Sequence, residues 1–143
     1  MLKWPNDVLV GERKIGGILI DRIDARAIVG IGVNLSTSPL ETATSVAQET
    51  SMDVSRDDLL ERILRRFAAT PSELVLMRYR PLCTTLGQII RAEFGGAVAK
   101  REIVGKAVGI DPAGRLLVVE GETLHAISSG ECVHLQVPLH EGC

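Results

Sequence analysis

Aromatic side chains make up only 3% of this 143-residue chain: one Trp, one Tyr and two Phe. Its core must therefore be assembled from Val, Ile, Leu and Ala, which the 45% apolar fraction supplies in quantity. Cysteine is scarce too. Cys83, Cys132 and Cys143 are an odd set without C-x-x-C spacing, which argues against a disulfide framework or a structural zinc and points to a reducing cytoplasm. Cys143, at the end of the chain, reads as a bystander. No apolar run reaches the length of a membrane helix, and Met1 does not open a signal-peptide pattern. The 16 basic and 18 acidic groups nearly cancel, to −2, and no basic block stands out. A nucleic-acid surface needs clustered Lys and Arg, so that class of partner drops out. His125, His134 and His140 are scattered without a partner at catalytic spacing, and Ser128-Ser129-Gly130-Glu131 lacks the strand–turn–helix setting of a hydrolase elbow. Repeats and low-complexity tracts are absent, and the length suits one domain or two small ones.

What the chain does contain is concentrated in one stretch, Lys3 to Asn34. A polar cluster, Lys3-Trp4-Pro5-Asn6-Asp7, leads into three short apolar runs split by turn signals at Gly11-Glu12-Arg13 and Asp24-Ala25-Arg26. That texture predicts an antiparallel meander. Side-chain alternation along the third strand, Ala27 to Asn34, sends Ile28, Gly30, Gly32 and Asn34 to one face. In the second strand it sends Lys14 and Gly16 to a common face. Glycine weakens a strand interior, so Gly16, Gly17, Gly30 and Gly32 need a reason: bulges and tight strand crossings, or open backbone for a flat ligand to lie on. With Lys3, Asn6, Asp7, Lys14 and Asn34 around them, the pattern favours an anionic, partly aromatic ligand. The trio Pro5-Asn6-Asp7 also suits a plain turn, and Trp4 reads as packing.

Further along, Ser36 to Thr50 is small and polar, with one or two helical turns at Ala43–Gln48. Ser55 followed by Asp57 and Asp58 is a helix start. Leu59, Leu60, Ile63, Leu64 and Phe67 then recur at helical spacing, a stripe that predicts a face buried in the core. Arg62, Arg65, Arg66, Arg78 and Arg80, with acids between them, predict a solvated face. Pro71 should break the helix, and a second piece should run from Ser72 to about Tyr79. Pro81 to Thr85 reads as a linker. Beyond it, Gln88–Phe94, Glu102–Ile110, Arg115–Glu120, Leu124–Ile127 and Cys132–Leu135 are candidate strands. They are joined by turns at Asp111-Pro112-Ala113-Gly114 and Gly121-Glu122. Five short strands in so short a span suggest a small SH3-like barrel.

KWPND, then RKIGGIL, then GIGVNL, in that order, resembles the biotin protein ligase family, the biotin–carboxyl-carrier-protein ligases. VGKAVGIDPAGRLLVV and SGECVHL look like that family's small terminal domain, so the likeness runs through nearly the whole chain. The resemblance implies an α+β protein. Its residues 1–82 would be the C-terminal part of a class II synthetase-like catalytic domain, a partial mixed or antiparallel sheet with helices, and 83–143 an SH3-like β-barrel. It implies ATP-dependent formation of biotinyl-5′-AMP, then biotin transfer to a lysine of the carrier domain of acetyl-CoA carboxylase or a related carboxylase. It assigns Lys14 the catalytic role. Biotin is placed against Lys14, Gly16, Gly17 and Gly30, and the nucleotide against Lys3, Asn6, Asp7, Gly32 and Asn34. Mg2+ is placed at Asp7. Family enzymes carry a glycine–arginine-rich loop upstream of KWPND, and only Met1 and Leu2 precede the cluster here, so a fragment or truncated product is expected.

The competing expectation is a non-catalytic remnant serving as a binding or homodimerisation module. A weaker third is a lipoate ligase, against which the terminal barrel and GIGVNL both argue. With no helix-turn-helix ahead of the motif, nothing suggests a DNA-binding role.

Overall fold

The protein's computed structural model describes residues 1–38, 40–96 and 99–135; His140 and Cys143 lie outside them. The order is β1 (Leu2–Lys3), β2 (Asp7–Val10), β3 (Arg13–Ile23), β4 (Arg26–Val33), α1 (Val46–Thr50), α2 (Arg56–Ala68), α3 (Ser72–Tyr79), a 3-10 turn (Arg80–Leu82), and then β5 (Ile89–Gly96), β6 (Ala99–Ile110), β7 (Leu116–Glu120), β8 (Thr123–Ile127) and β9 (Glu131–His134). The strands form two antiparallel sheets, ordered β1-β2-β3-β4 and β8-β7-β6-β5-β9. The chain is an α+β protein in which the helices separate two all-antiparallel sheets.

The turns follow from local chemistry. Gly11 takes φ +59° between β2 and β3, and Asp24 takes φ +54° between β3 and β4; Asp is among the few non-glycine residues that tolerate this region. Between β6 and β7, Asp111 accepts the Gly114 amide at 2.9 Å and its carboxylate takes the Ala113 and Arg115 amides, also at 2.9 Å. Those contacts and the Arg115 guanidinium hold the Asp111 carboxyl below the usual carboxylate range, the Arg115 backbone bond contributing most. All five candidate strands of the C-terminal part form, shifted by a few residues at some ends.

The core belongs to the second sheet. Ile90, Ala92, Ile103, Leu116, Val118 and Ile127 are buried on its strands, and Trp4 from the turn between β1 and β2 joins them at 4% exposure. The segment Pro81–Thr85, which its single proline and polarity suggested as a linker, is a clasp anchored through the buried Cys83 and Thr85, with Pro81 and Leu82 exposed. Leu2 pairs with Cys83 as a parallel bridge, and Leu2 O accepts both the Thr84 amide at 2.8 Å and the Thr84 hydroxyl at 3.1 Å. Arg80 adds a bond to Ile110 O at 2.8 Å. A polar, proline-containing sequence looks like a tether until its backbone pairs with Leu2 of the first sheet and the Thr85 hydroxyl meets His134 of the second.

The helices give a second correction. Ser55 caps α2 by accepting the Asp57 and Asp58 amides, Arg65 pairs with Glu61 one turn away, and Pro71 separates α2 from α3 as expected. The stripe does not become core: α2 has no buried residue, and Phe67 is 81% exposed. Periodicity reports that a helix has an apolar side. It carries no information on whether the same chain holds the surface that covers it.

Candidate functional site

Register defines the working face. Lys3 pairs with Asp7, Asp7 with Gly17, and Gly17 with Gly32. Directly opposed residues share a face in an antiparallel ladder, so these four line up across all four strands. Alternation adds Leu19, Gly30 and Asn34 to that face. Between Val8 and Leu9 the pairing slips: Val8 opposes Gly16, but Leu9 opposes Lys14. The extra residue in β3 is a bulge, and it reverses parity. Lys14 therefore stands on the Gly17 face, and the expectation that it shares a face with Gly16 is overturned. A Cβ built on Gly17 would sit 3.6 Å from both Lys14 Cε and Nζ. The ammonium lies over the glycine, with Asp7 Oδ1 2.5 Å away.

The glycines divide by what surrounds them. On Gly16 a Cβ would come within 2.5 Å of Gly32 O, so Gly16 serves close strand approach on the reverse face. On Gly30 and Gly32 it would meet only one carbonyl each, at 3.7 and 3.9 Å. That is open floor. Gly16→Ala should cost about 1–3 kcal/mol through overpacking, read as a lower denaturation midpoint. Gly30→Val should keep the fold, because valine suits the strand, yet lose ligand binding by calorimetry. Unchanged ligand binding by Gly30→Val would discard the floor.

Several supports of this face were not foreseen. Ala43, Thr44 and Ser45, in the small polar run 36–50, are buried. Lys14 N donates to Thr42 O at 3.1 Å, Lys14 O accepts Thr44 N at 2.9 Å, and Ala43 bridges Lys14 in parallel. Asn34 Nδ2 donates to Thr44 O at 3.0 Å, so its amide braces this loop and leaves Oδ1 for other partners. Glu49 joins the Thr44 hydroxyl to Arg13 at 2.5 and 2.8 Å. Buried threonines and serines tied to backbone carry no signature distinguishing them from loop residues.

An open cleft of about 1060 Å³ lies between the two sheets, with Lys3, Asp7 and Lys14 on one wall and Gly87, Gln88 and His134 on the other. Asn6 is exposed and is not among the cleft's lining residues, and its carbonyl accepts the Ile18 amide at 2.9 Å. Burial, and then the Lys3 charge, lower the His134 pKa below its ordinary 6.5. Together the face and the cleft offer two lysines, the Asp7 and Glu12 carboxylates, amide groups and bare strand backbone, which is chemistry for a polyanion joined to a flat group. It offers little to a divalent ion. The Lys14 ammonium already engages Asp7, and no group of three or more His, Cys, Asp or Glu side chains placed to hold a metal occurs among the described residues.

Residues 1–38 match the family model described as the biotin/lipoate A/B protein ligase family, and residues 85–135 match the biotin protein ligase C terminal domain. A biotin–[acetyl-CoA-carboxylase] ligase of Mycobacterium tuberculosis is 32% identical over 144 residues, spanning 94% of this chain and 53% of the relative. The bifunctional ligase/repressor BirA of Bacillus subtilis is 29% identical, spanning 91% of this chain and 45% of that protein. Among solved structures, the biotin protein ligase from Aquifex aeolicus in complex with biotin and ATP superposes with a TM-score of 0.74 at 29% identity, over 95% of this chain and 62% of the other. The chain spans about half the length of the curated relatives it matches.

Proposed function

This chain belongs to the biotin protein ligase family, and from that premise we propose that its Lys3–Asn34 face contributes the adenylate-forming site of an ATP-dependent biotin ligase. The observation that carries the reading is the bulge that brings the Lys14 ammonium over Gly17, beside the open backbone of Gly30 and Gly32. A carboxylate and a phosphate repel each other, and the attack of the biotin carboxylate on the α-phosphate concentrates charge between them. A cation held at that point, already oriented by Asp7, stabilises the transition state more than the separate substrates. The biotin ring lies against Gly17 and Gly30, with Gly16 keeping β3 and β4 close enough to form that floor. The nucleotide runs past Gly32 toward the Asn34 amide, and Lys3 and Asn6 meet the phosphates. In the second step a carrier lysine takes the biotinyl group and AMP leaves. Mg2+ accompanies ATP in such reactions, but the donor set here does not make a site for it, and the protein's own steps rest on the lysines and amides.

The strand order β8-β7-β6-β5-β9 and the match over 85–135 support reading 83–143 as an SH3-like domain and 1–82 as part of the catalytic domain. The partner is a biotin carboxyl-carrier domain, and the compartment is the cytoplasm.

The test uses a ligase of family length that contains this segment. With biotin, ATP and a carrier domain it should release pyrophosphate and AMP in step with carrier biotinylation. Biotin binding without any AMP release would replace this reading with that of a binding module.

A further inference from the structure

The cluster that the adenylation chemistry leaves unused lies behind Lys3. Thr85 is fully buried, and its hydroxyl oxygen accepts the Trp4 backbone amide at 3.0 Å. His134 Nε2 lies 3.2 Å from the same oxygen. The indole of Trp4 donates to Gly114 O at 3.3 Å in the β6–β7 turn. Leu2, on the other side of Lys3, is pinned by Thr84. Lys3 is therefore held at both of its chain neighbours, and each hold comes from the C-terminal part.

A hydroxyl has one proton to give and two lone pairs to accept with. Trp4 N–H takes one lone pair. The proton can then go to His134 Nε2 only if that nitrogen is unprotonated, so the neutral ring with its proton on Nδ1 is the partner that fixes the hydroxyl. Once His134 is protonated, Nε2 becomes a donor. Two donors then converge on the oxygen, and the proton of the fully buried Thr85 hydroxyl loses its acceptor. An unsatisfied buried donor is costly. The groups around His134 sharpen the effect. Lys3 faces it from β1, Cys132 lies on its own strand, Cys83 is on the clasp, and Asp7, Glu12 and Lys14 stand across the cleft. A second positive charge beside Lys3 drives the two apart.

We propose that Thr85 and His134 are positioning residues through which the C-terminal sheet sets the Lys3 loop in the cleft, and that the hold is released when His134 gains a proton. This rests on the reading of Lys3 as a phosphate-side cation only for its consequence in binding; the hold itself is a property of the fold. Neither residue touches the reacting atoms.

Trp4 is the single tryptophan, so intrinsic fluorescence of the 143-residue chain reads the clasp directly. The wild type should show one emission step on acidification, with a midpoint below the ordinary histidine value. His134→Gln keeps an acceptor for the hydroxyl but cannot titrate, so it should hold the neutral emission throughout. Thr85→Val should lose the step although His134 is still present. Thr85→Ser should recover it, which also shows that the site tolerates substitution. Inorganic pyrophosphate, titrated at neutral pH, should bind Thr85→Val more weakly by roughly tenfold, the scale of one charged contact.

A step that persists in Thr85→Val would mean that His134 quenches the indole directly, and a step that persists in His134→Gln would assign it to another group. Either overturns the proposal. Pyrophosphate binding that is absent from every variant and from the wild type would count against the nucleotide reading of the cleft, while the emission data still decide the clasp.

Discussion

Lys14→Ala should slow adenylate formation by roughly a hundred- to a thousandfold, about 2.7–4 kcal/mol of transition-state stabilisation, in a ligase of family length carrying this segment. The size follows from where the ammonium sits. In the free chain the Lys14–Asp7 pair is half open to water, the two side chains being 51% and 25% exposed. An ion pair so placed adds about 0–1 kcal/mol to stability, so the variant should fold normally and its denaturation midpoint should barely move. With substrates lying over Gly17 and Gly30, water leaves and the same charge acts in a medium of lower dielectric, where it is worth several times more. The loss should fall on the rate constant for pyrophosphate release and less on biotin affinity, because the charge it answers develops only as the carboxylate and phosphate approach. Asp7→Asn, which keeps the lysine but frees it to wander, should give a smaller deficit in the same step. Unchanged adenylation kinetics in Lys14→Ala would remove Lys14 from the mechanism and leave its ion pair a surface feature.

How far the sequence led depends on what kind of information each feature carries. Local rules were legible: Ser55 as a cap, Pro71 as a break, Gly121 as the first residue of a hairpin turn, and the β-rich runs beyond Gln88. Each is decided by a few adjacent residues, and each formed. Parity was not legible past the bulge. Alternation counts residues, and one extra residue in β3 opposite β2 moves Lys14 from the face of Gly16 to the face of Gly17 without leaving any mark in RKIGGIL. The burial of Ala43–Ser45 and of Thr85 was hidden for a related reason, since their partners are backbone groups distant in the chain. Trp4 did read as packing, but its packing surface is the second sheet, and that long-range contact is what makes one cleft out of two sheets. The α2 stripe failed in the opposite sense. There the sequence states a demand for burial, and the described residues do not supply the answer.

That unmet demand governs the behaviour of the 143-residue chain in isolation. In the β3–β4 hairpin Leu19 and Ile28 on one face, and Ile20 and Val29 on the other, are all more than half exposed, Leu19 at 63%. β4 ends its sheet, so its outer backbone groups lack a strand partner among the described residues. A long apolar edge strand is a template for another chain, and a contiguous apolar patch drives association. The isolated chain should therefore sediment as concentration-dependent oligomers. Ile20→Lys with Val29→Glu, opposed across the hairpin, should shift it toward monomer, since opposite charges directly across a ladder are tolerated while the patch is broken. Hydrogen exchange on that monomeric variant should divide the molecule. Amides in 102–120 sit in the packed sheet around Ile103, Leu116 and Val118 and should be slow. Amides in 7–34 belong to a sheet whose β3–β4 hairpin is exposed on both faces from Ile18 to Gly32 and should exchange quickly, because local opening there exposes little surface not already exposed. Biotin should bind weakly for the same reason, since a fluctuating floor must be ordered before it can hold a ring. Strong protection across 7–34, together with micromolar biotin binding by this chain, would show instead that the four-stranded sheet is stable unaided and that its open faces are a working surface.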